Sequence, residues 1–146
     1  MSTTTIAQPQ GSSHTSQHAY ELTARDFQDL LSAPPIDRDR LLEQCLGNMD
    51  FALMLLDEFA KTSPSRLEAF DAALAEHNNA AIATKAHALR GTAGILAADD
   101  LMETCSNLES LAKKEADWNL TRELVQQLHR EIQRAIDFVP VIRTMA

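Results

Sequence analysis

Glycine, proline and aromatic residues are all scarce in this sequence. Four Gly and five Pro occur in 146 residues, and aromatic side chains make up 5% of the chain. Long stretches without either helix breaker favour helix throughout. With 45% hydrophobic residues but so few rings, the core must consist mainly of Leu, Ile, Ala, Met and a few Phe. The composition predicts one ordinary helical domain with a tail.

Basic residues are outnumbered by acidic ones, with 13 Lys and Arg against 21 Asp and Glu and a formal net charge of −8. This balance argues against nucleic acid or an anionic membrane as a partner, since both reward clustered Lys and Arg. The N-terminus has no basic segment followed by an apolar run, and no apolar segment approaches the length that spans a bilayer. We therefore expect a soluble, cytoplasmic protein that binds neither nucleic acid nor membrane.

Cysteine is nearly absent, with Cys45 and Cys105 as its only occurrences. Both lie where helix-core residues are expected. Two buried thiols in a reducing compartment are therefore favoured over a disulfide, although the sequence leaves the disulfide open.

Composition divides the chain into three parts. Residues 1–22 are rich in Ser, Thr, Gln and His, which predicts a disordered polar tail. His14 and His18 have no fixed geometry in such a tail, so no metal site is expected there. Residues 23–36 predict a short helix followed by a Pro-Pro linker. Residues 37–140 predict the folded domain.

Within the folded domain, apolar residues recur at helical spacing between turn signals. A short helix is predicted over 37–46, followed by five longer ones. Ser63-Pro64 predicts a helix restart, Asp99 a helix cap, and Pro140 the end of the last helix. The five predicted helices cover 50–61, 63–77, 80–96, the segment that begins at Asp99, and the segment from 117 to about 140. The predicted fold is all-α: an antiparallel up-and-down bundle with a four-helix core and additional short N-terminal helices.

The segment 80–96 carries the chemistry. A helix turns about 100° per residue, which places His87 opposite the apolar stripe of this helix. The stripe consists of Ile82, Ala86, Leu89, Ala93 and Leu96. Small residues share the line of His87, namely Ala83, Gly91 and Gly94. A glycine inside an exposed helix lowers helix stability by about 1 kcal/mol relative to Ala. The presence of two glycines therefore indicates that this helix needs open space beside His87. Close approach by another molecule is the use that we infer for this space.

An exposed histidine is often an ordinary surface residue, but its surroundings favour a function here. Neutral imidazole is a competent nucleophile near pH 7, because its unperturbed pKa is about 6.5. Attack on an acyl phosphate needs little beyond in-line access and charge stabilisation. Arg90 lies one turn from His87 and supplies positive charge, and Lys85 or Lys113 can add to it.

The motif His87-Ala-Leu-Arg90-Gly91-Thr-Ala93, followed by a Leu-rich helix, resembles the histidine phosphotransfer (HPt) family. The resemblance extends over about 37–139 and includes the upstream apolar pattern. It implies that His87 is the phosphoacceptor, that Arg90 assists the phosphoryl group and that Gly91 makes room. Glu109 matches a polar side chain that reaches the active histidine from the next helix. Our hypothesis is that it accepts a hydrogen bond from Nδ1–H and leaves Nε2 as the nucleophile.

One position departs from the family pattern. Ala97 stands near the end of the histidine helix, where the family commonly has Gly. We therefore expect the turn between 96 and 99 to differ slightly from that of the family.

The resemblance implies a phosphoryl carrier that relays the group between receiver-domain aspartates and His87. No Gly-rich phosphate loop is present and the length leaves no room for an ATP domain, so we expect neither enzyme nor autokinase activity. The alternative is a helical docking module that binds a receiver or histidine kinase without chemistry.

The expected partners are response-regulator receiver domains, a hybrid histidine kinase, or both, with this chain as a monomer. We expect them to dock around His87 on small and apolar residues: Ala83, Thr84, Gly91, Gly94 and Ile95. No carboxylate cluster has the spacing of a metal site. The expected cofactor is therefore none in this chain, with Mg²⁺ held by the partner receiver.

Overall fold

The computed structural model describes residues 34–115 and 117–145. Across these residues the chain forms five helices and no strand, which confirms the predicted all-α bundle. The predicted tail 1–22 and most of the predicted segment 23–36 lie outside the described residues, and the domain boundaries at 37 and 140 stay predictions. The helices are α1 (Arg38–Gln44), α2 (Met49–Ala75), α3 (Asn79–Ile95), α4 (Asp99–Lys114) and α5 (Trp118–Met145).

Short polar side chains start most of these helices. Asp37, Asn48 and Asn78 each accept a hydrogen bond from a backbone N–H three residues on, at 3.0 to 3.1 Å. Such caps satisfy amide groups that the first helical turn leaves without a partner. Helix α4 begins differently, because its N-cap is Ala98 and no side chain caps it. The prediction that Asp99 caps this helix is therefore wrong, and Asp99 binds Arg40 of α1 instead.

Proline ends neither of the helices where a stop was predicted. Helix α2 runs through Pro64 and α5 runs through Pro140, so four long helices follow Asn48 rather than five. An internal proline costs about 3 kcal/mol. Buried apolar residues continue on both sides of each proline, Phe59 and Phe70 around the first and Val139 and Ile142 around the second. Their burial favours the continuous helix, because each buried side chain contributes roughly 1.5–3 kcal/mol.

The core lies between the four long helices. Helix α2 packs against α3 and α5, and α4 packs against the same two helices. The predicted apolar stripe of α3 is confirmed, because all five of its residues are at most 2% exposed. Cys45 and Cys105 are buried and free, and burial raises the pKa of Cys105 to about 12. Its thiol therefore stays protonated and acts as an apolar core group.

Helix α1 lies across the turn between α3 and α4. The amide of Asp37 donates to the carbonyl of Ala97 at 3.0 Å. Two nitrogens of Arg40 bind the Asp99 carboxylate at 2.6 and 3.0 Å, and Gln44 Nε2 donates to the Gly94 carbonyl at 3.2 Å. Ala97 has a φ of +57°, the left-handed conformation that glycine adopts most readily. In this turn an alanine therefore adopts the backbone conformation that is typical of glycine.

No helix within the described part of the chain is both long and apolar enough to cross a bilayer.

Candidate functional site

His87 projects from the middle of α3, on the side away from the core. Its side chain is 63% exposed, whereas Ala86 and Leu89 beside it are at most 1% exposed. The burial of the apolar stripe fixes the rotation of α3 and thereby turns the imidazole ring outward. The predicted exposure of His87 is confirmed.

Glu109 of α4 meets the histidine from the neighbouring helix. Its side chain is only 8% exposed, and its Oε2 lies 3.0 Å from His87 Nδ1. An ionised carboxylate only accepts hydrogen bonds, so this contact assigns the proton to Nδ1. In the neutral ring Nε2 then carries the lone pair, and among residues 34–115 and 117–145 it accepts no hydrogen bond. The predicted contact between Glu109 and Nδ1 is present.

Two further cations surround the same carboxylate. Lys113 Nζ lies 2.9 Å from Glu109 Oε2, and Arg90 Nη1 lies 3.3 Å from Oε1. The hydrogen bond from Lys113 is the main factor that lowers the pKa of Glu109, burial opposes it, and the hydrogen bond from His87 lowers the pKa further. Glu109 therefore stays ionised at neutral pH despite its burial.

Arg90 also approaches the ring itself, with Nη2 3.2 Å from His87 Nδ1. With the Nδ1 proton directed to Glu109, this contact places positive charge beside the ring without a hydrogen bond between the two groups. Glu109 Oε1 is buried and accepts no hydrogen bond from the described residues, so its contact with Arg90 is an ion pair without hydrogen-bond alignment. The guanidinium, 38% exposed, stays within reach of a group bound at Nε2.

A shallow cavity of about 290 Å³ opens beside the ring. It is lined by Ala83, Thr84, His87, Glu109 and Lys113. Ala83 is only 7% exposed, because it is rotated toward α4, whose packing covers it. Ala83 therefore forms part of the cavity wall rather than of the exposed surface around His87, and its part in docking stays a prediction.

Five exposed residues form a continuous line along α3, which we call the docking strip. Its members are Thr84, His87, Ala88, Gly91 and Ile95. A Cβ at Gly91 would meet no atom within 4 Å, so packing within the chain gives no reason for glycine there. Gly94 is different, because it is half-buried and a Cβ there would lie 3.5 Å from the sulfur of Met102. Gly94 therefore lies at the edge of the α3–α4 interface.

The two lysines that the sequence offered as additional charge are separated by the fold. Lys113 binds Glu109 in the site. Lys85 lies away from this carboxylate and lines a cleft between α2 and α3 together with Arg66. Arg66 had no distinguishing signal in the sequence. The described residues contain no group of three or more His, Cys, Asp or Glu side chains placed to hold a metal ion.

The family model of the Hpt domain matches residues 54–138. The chain belongs to the Hpt domain family. This match includes all of α3 and α4 and therefore both His87 and Glu109. Among curated protein sequences, none matches the chain significantly.

Solved structures of HPt proteins have the same fold. The histidine-containing phosphotransfer protein B (HptB) from Pseudomonas aeruginosa PAO1 is 29% identical, with a TM-score of 0.68 over 79% of this chain and 99% of that one. The HPT domain of a sensor hybrid histidine kinase from Shewanella is 19% identical, with a TM-score of 0.67 over 77% of this chain and 96% of that one. At 19% identity, the second likeness concerns the fold alone.

This HPt protein is thus a histidine phosphotransfer component of a two-component phosphorelay. HPt domains carry phosphoryl groups rather than act as conventional enzymes, and they interact with receiver domains or histidine kinases.

Proposed function

We propose that His87 is the phosphoacceptor of this HPt protein and relays a phosphoryl group between receiver aspartates. The observation that carries the proposal is an exposed imidazole whose Nδ1 is held by a buried, ionised Glu109 at 3.0 Å. In the neutral ring this contact favours the proton on Nδ1, so that the lone pair of Nε2 is directed away from the carboxylate, which is what in-line attack requires.

The transfer balances without a further reactant. The Nε2 lone pair attacks phosphorus, the new N–P bond forms, and the P–O bond to the receiver aspartate breaks, which returns a free carboxylate to the receiver. The ring then carries a positive charge with its proton on Nδ1. Glu109 accepts a charge-assisted hydrogen bond from this Nδ1–H group and stabilises the cation, while the proton stays on the ring. Transfer to a second receiver is the same step in reverse.

Arg90 and Gly91 support the transfer in different ways. We assign to Arg90 the stabilisation of negative charge on the phosphoryl oxygens, because its guanidinium already lies beside the ring. Gly91 leaves open space one turn along the docking strip, where the receiver must come close for phosphorus to reach Nε2. Thr84 and Ile95 extend the contact surface to either side of this point.

The receiver is also the proposed source of Mg²⁺, so this chain supplies the histidine and the charges around it but no metal ligand. We propose that it acts as a monomer in the cytoplasm, without autokinase activity. Two buried free thiols fit a reducing compartment.

A panel of phosphorylated receiver domains from the source organism tests the proposal. Purified wild type, His87→Gln and the matched control His129→Gln are incubated with each labelled receiver. We expect alkali-stable, acid-labile label on wild type and His129→Gln but none on His87→Gln. Label that persists on His87→Gln contradicts the assignment. If no receiver transfers label while some bind tightly, the protein is a docking module without chemistry.

A further inference from the structure

The cleft between α2 and α3 is a basic depression in an acidic protein. It has a volume of about 290 Å³ and is lined by seven residues: Ser65, Arg66, Ala69, Phe70, Lys85, Ala88 and Leu89. Arg66 and Lys85 are the only charged members, and no carboxylate lines it. The rest of the chain outweighs them, since the net charge is −8. Local charge of the opposite sign makes this cleft the preferred point of contact for an anionic group.

Neither cation of the cleft is neutralised by a carboxylate of the described chain, and both residues are partly exposed. Neither Arg66 nor Lys85 forms an ion pair with a carboxylate in the described part of the chain. Arg66 is half-buried, and its Nε is inaccessible to solvent and without a hydrogen-bond partner among the described residues. The terminal nitrogens of the guanidinium are not among the buried unpaired atoms, so they are the donors that a partner can reach. The small side chains of Ser65, Ala69 and Ala88 keep the space in front of these cations open.

The cleft continues the docking strip. Ala88 belongs to both, because it is exposed next to His87 and also lines the cleft. Lys85 precedes His87 by two residues and therefore points to the other flank of α3, about 200° around the helix, so Ala88 is the residue that connects the cleft with the strip. A receiver that seats its aspartyl phosphate at Nε2 reaches the cleft if its docking face extends across Ala88 to the α2 side of the helix.

A second cavity gives the contrast. The groove beside the first half of α2, about 410 Å³ in volume, is lined by the three carboxylates of Asp50, Asp57 and Glu58 as well as by Lys61 and Arg143. Its charges largely compensate one another, whereas those of the α2–α3 cleft do not. Of the two, only the α2–α3 cleft is lined by cations without a carboxylate.

We propose that Arg66 and Lys85 form a second anchor for the receiver, which accepts a carboxylate side chain from the receiver's docking face. A guanidinium matches the planar carboxylate with paired hydrogen bonds, and the ammonium adds charge at the rim. The inference rests on the proposed function, because it assumes that the receiver docks over His87. The anchor selects among receivers and fixes their orientation, while His87, Glu109 and Arg90 carry the chemistry.

The test uses the receiver that phosphorylates wild type fastest in the panel above. Transfer rates are measured against receiver concentration at low and high salt for Arg66→Gln/Lys85→Gln. The matched control is Arg130→Gln/Arg134→Gln, which removes the same charge from two exposed arginines of α5. We expect KM of the cleft variant to rise about tenfold at low salt with kcat nearly unchanged, and the difference to shrink at high salt. The control should behave as wild type.

Two further measurements separate docking from chemistry. Phosphoramidate, a small phosphodonor that needs no docking face, should label His87 at equal rates in wild type and the cleft variant. The charge-retaining Arg66→Lys/Lys85→Arg should recover most of the low KM. An unchanged KM in the cleft variant overturns the inference, and so does an equal rise in the α5 control, which reports net charge alone. Failure of the proposed function is distinct, because wild type itself would then take no label from any receiver.

Discussion

Two histidine–carboxylate pairs with nearly the same distance lie on opposite sides of this bundle. His87 Nδ1 lies 3.0 Å from Glu109, and His129 Nε2 lies 2.9 Å from Asp71. In the first pair the histidine is 63% exposed and the carboxylate 8%. In the second pair the histidine is 40% exposed and the carboxylate 56%. The distances nearly agree, but the carboxylate is the more buried partner in the first pair and the histidine is the more buried partner in the second.

The difference shows that a histidine–carboxylate contact alone does not mark a reactive site. Glu109 is buried among cations, and it engages Nδ1 and leaves Nε2 free at the surface. Asp71 is solvated and occupies Nε2 itself, so the second ring offers no comparable nucleophile to a partner. Solvated pairs of this kind contribute roughly 0–1 kcal/mol to stability. Which nitrogen is engaged and which partner is buried together distinguish the two pairs.

The largest expected difference in transfer rate is between variants that neutralise one or the other of the two carboxylates. Glu109→Gln removes the charge that stabilises the cationic phosphohistidine, so we expect transfer from a receiver to slow roughly 10- to 100-fold. Asp71→Asn should leave transfer within about twofold of wild type, because its histidine takes no part in it. Initial rates of label transfer measure both variants.

The comparison requires that both variants fold, which circular dichroism and the thermal unfolding midpoint of each variant establish. Equal losses of transfer in folded Glu109→Gln and Asp71→Asn would mean that burial does not distinguish the pairs. Full transfer by Glu109→Gln would remove the role of Glu109.

A smaller effect concerns pH and the stability of the site. Cation contacts hold the pKa of Glu109 below its ordinary value, with Lys113 the main cause. A lowered pKa in the folded state stabilises the protein above the unfolded pKa of about 4.3, and this contribution is lost as pH falls through the folded value. Urea unfolding should therefore separate wild type from Glu109→Gln at neutral pH, and the gap should close below about pH 4. A gap that stays constant into strong acid would show that it does not come from the charge.

The smallest effect is expected at the turn that joins the histidine helix to the glutamate helix. Ala97 has a φ of +57°, and a left-handed conformation costs a non-glycine residue roughly 1–2 kcal/mol. Ala97→Gly should raise stability by less than about 1 kcal/mol, because the flexible unfolded chain and the lost Cβ burial offset part of the gain.

Chemical unfolding measures this change, with Ala93→Gly inside α3 as the control, which should lose at least about 1 kcal/mol. Transfer by Ala97→Gly should match wild type, because helix packing and not the turn residue sets the distance from His87 to Glu109. Slower transfer by a more stable Ala97→Gly would contradict this.

Periodicity and turn chemistry predicted most of the fold. The apolar stripe of α3 is buried as expected, and the helix predicted over 80–96 is present as Asn79–Ile95 with Asn78 as its N-cap. Both features depend on residues close together in sequence, where local rules are strongest. The predictions at Pro64 and Pro140 are wrong because burial overrides a local rule there. Continuous burial across each proline depends on neighbouring helices, which the local pattern does not describe.

The site was predictable to the extent that it follows from a single helix or a family pattern. The outward direction of His87 follows from the wheel of α3, and the resemblance supplied Glu109. The attachment of Lys113 to Glu109 was foreseeable as a pair four residues apart on one helix. The presence of Arg66 and Lys85 in one cleft was not foreseeable, because it depends on the register between α2 and α3. The burial of Ala83 likewise depends on how α4 packs.

Helix α1 holds the site in its final arrangement in the absence of a partner. It fastens the α3–α4 turn through the Ala97 carbonyl, the Asp99 carboxylate and the Gly94 carbonyl, so the helices that carry His87 and Glu109 are held together before any partner arrives. The acceptor is thereby ready in advance, and no rearrangement has to follow the collision with a receiver. We expect such a preorganised acceptor to spend little of its transfer time on internal rearrangement, so that below saturation the rate follows the concentration of each receiver.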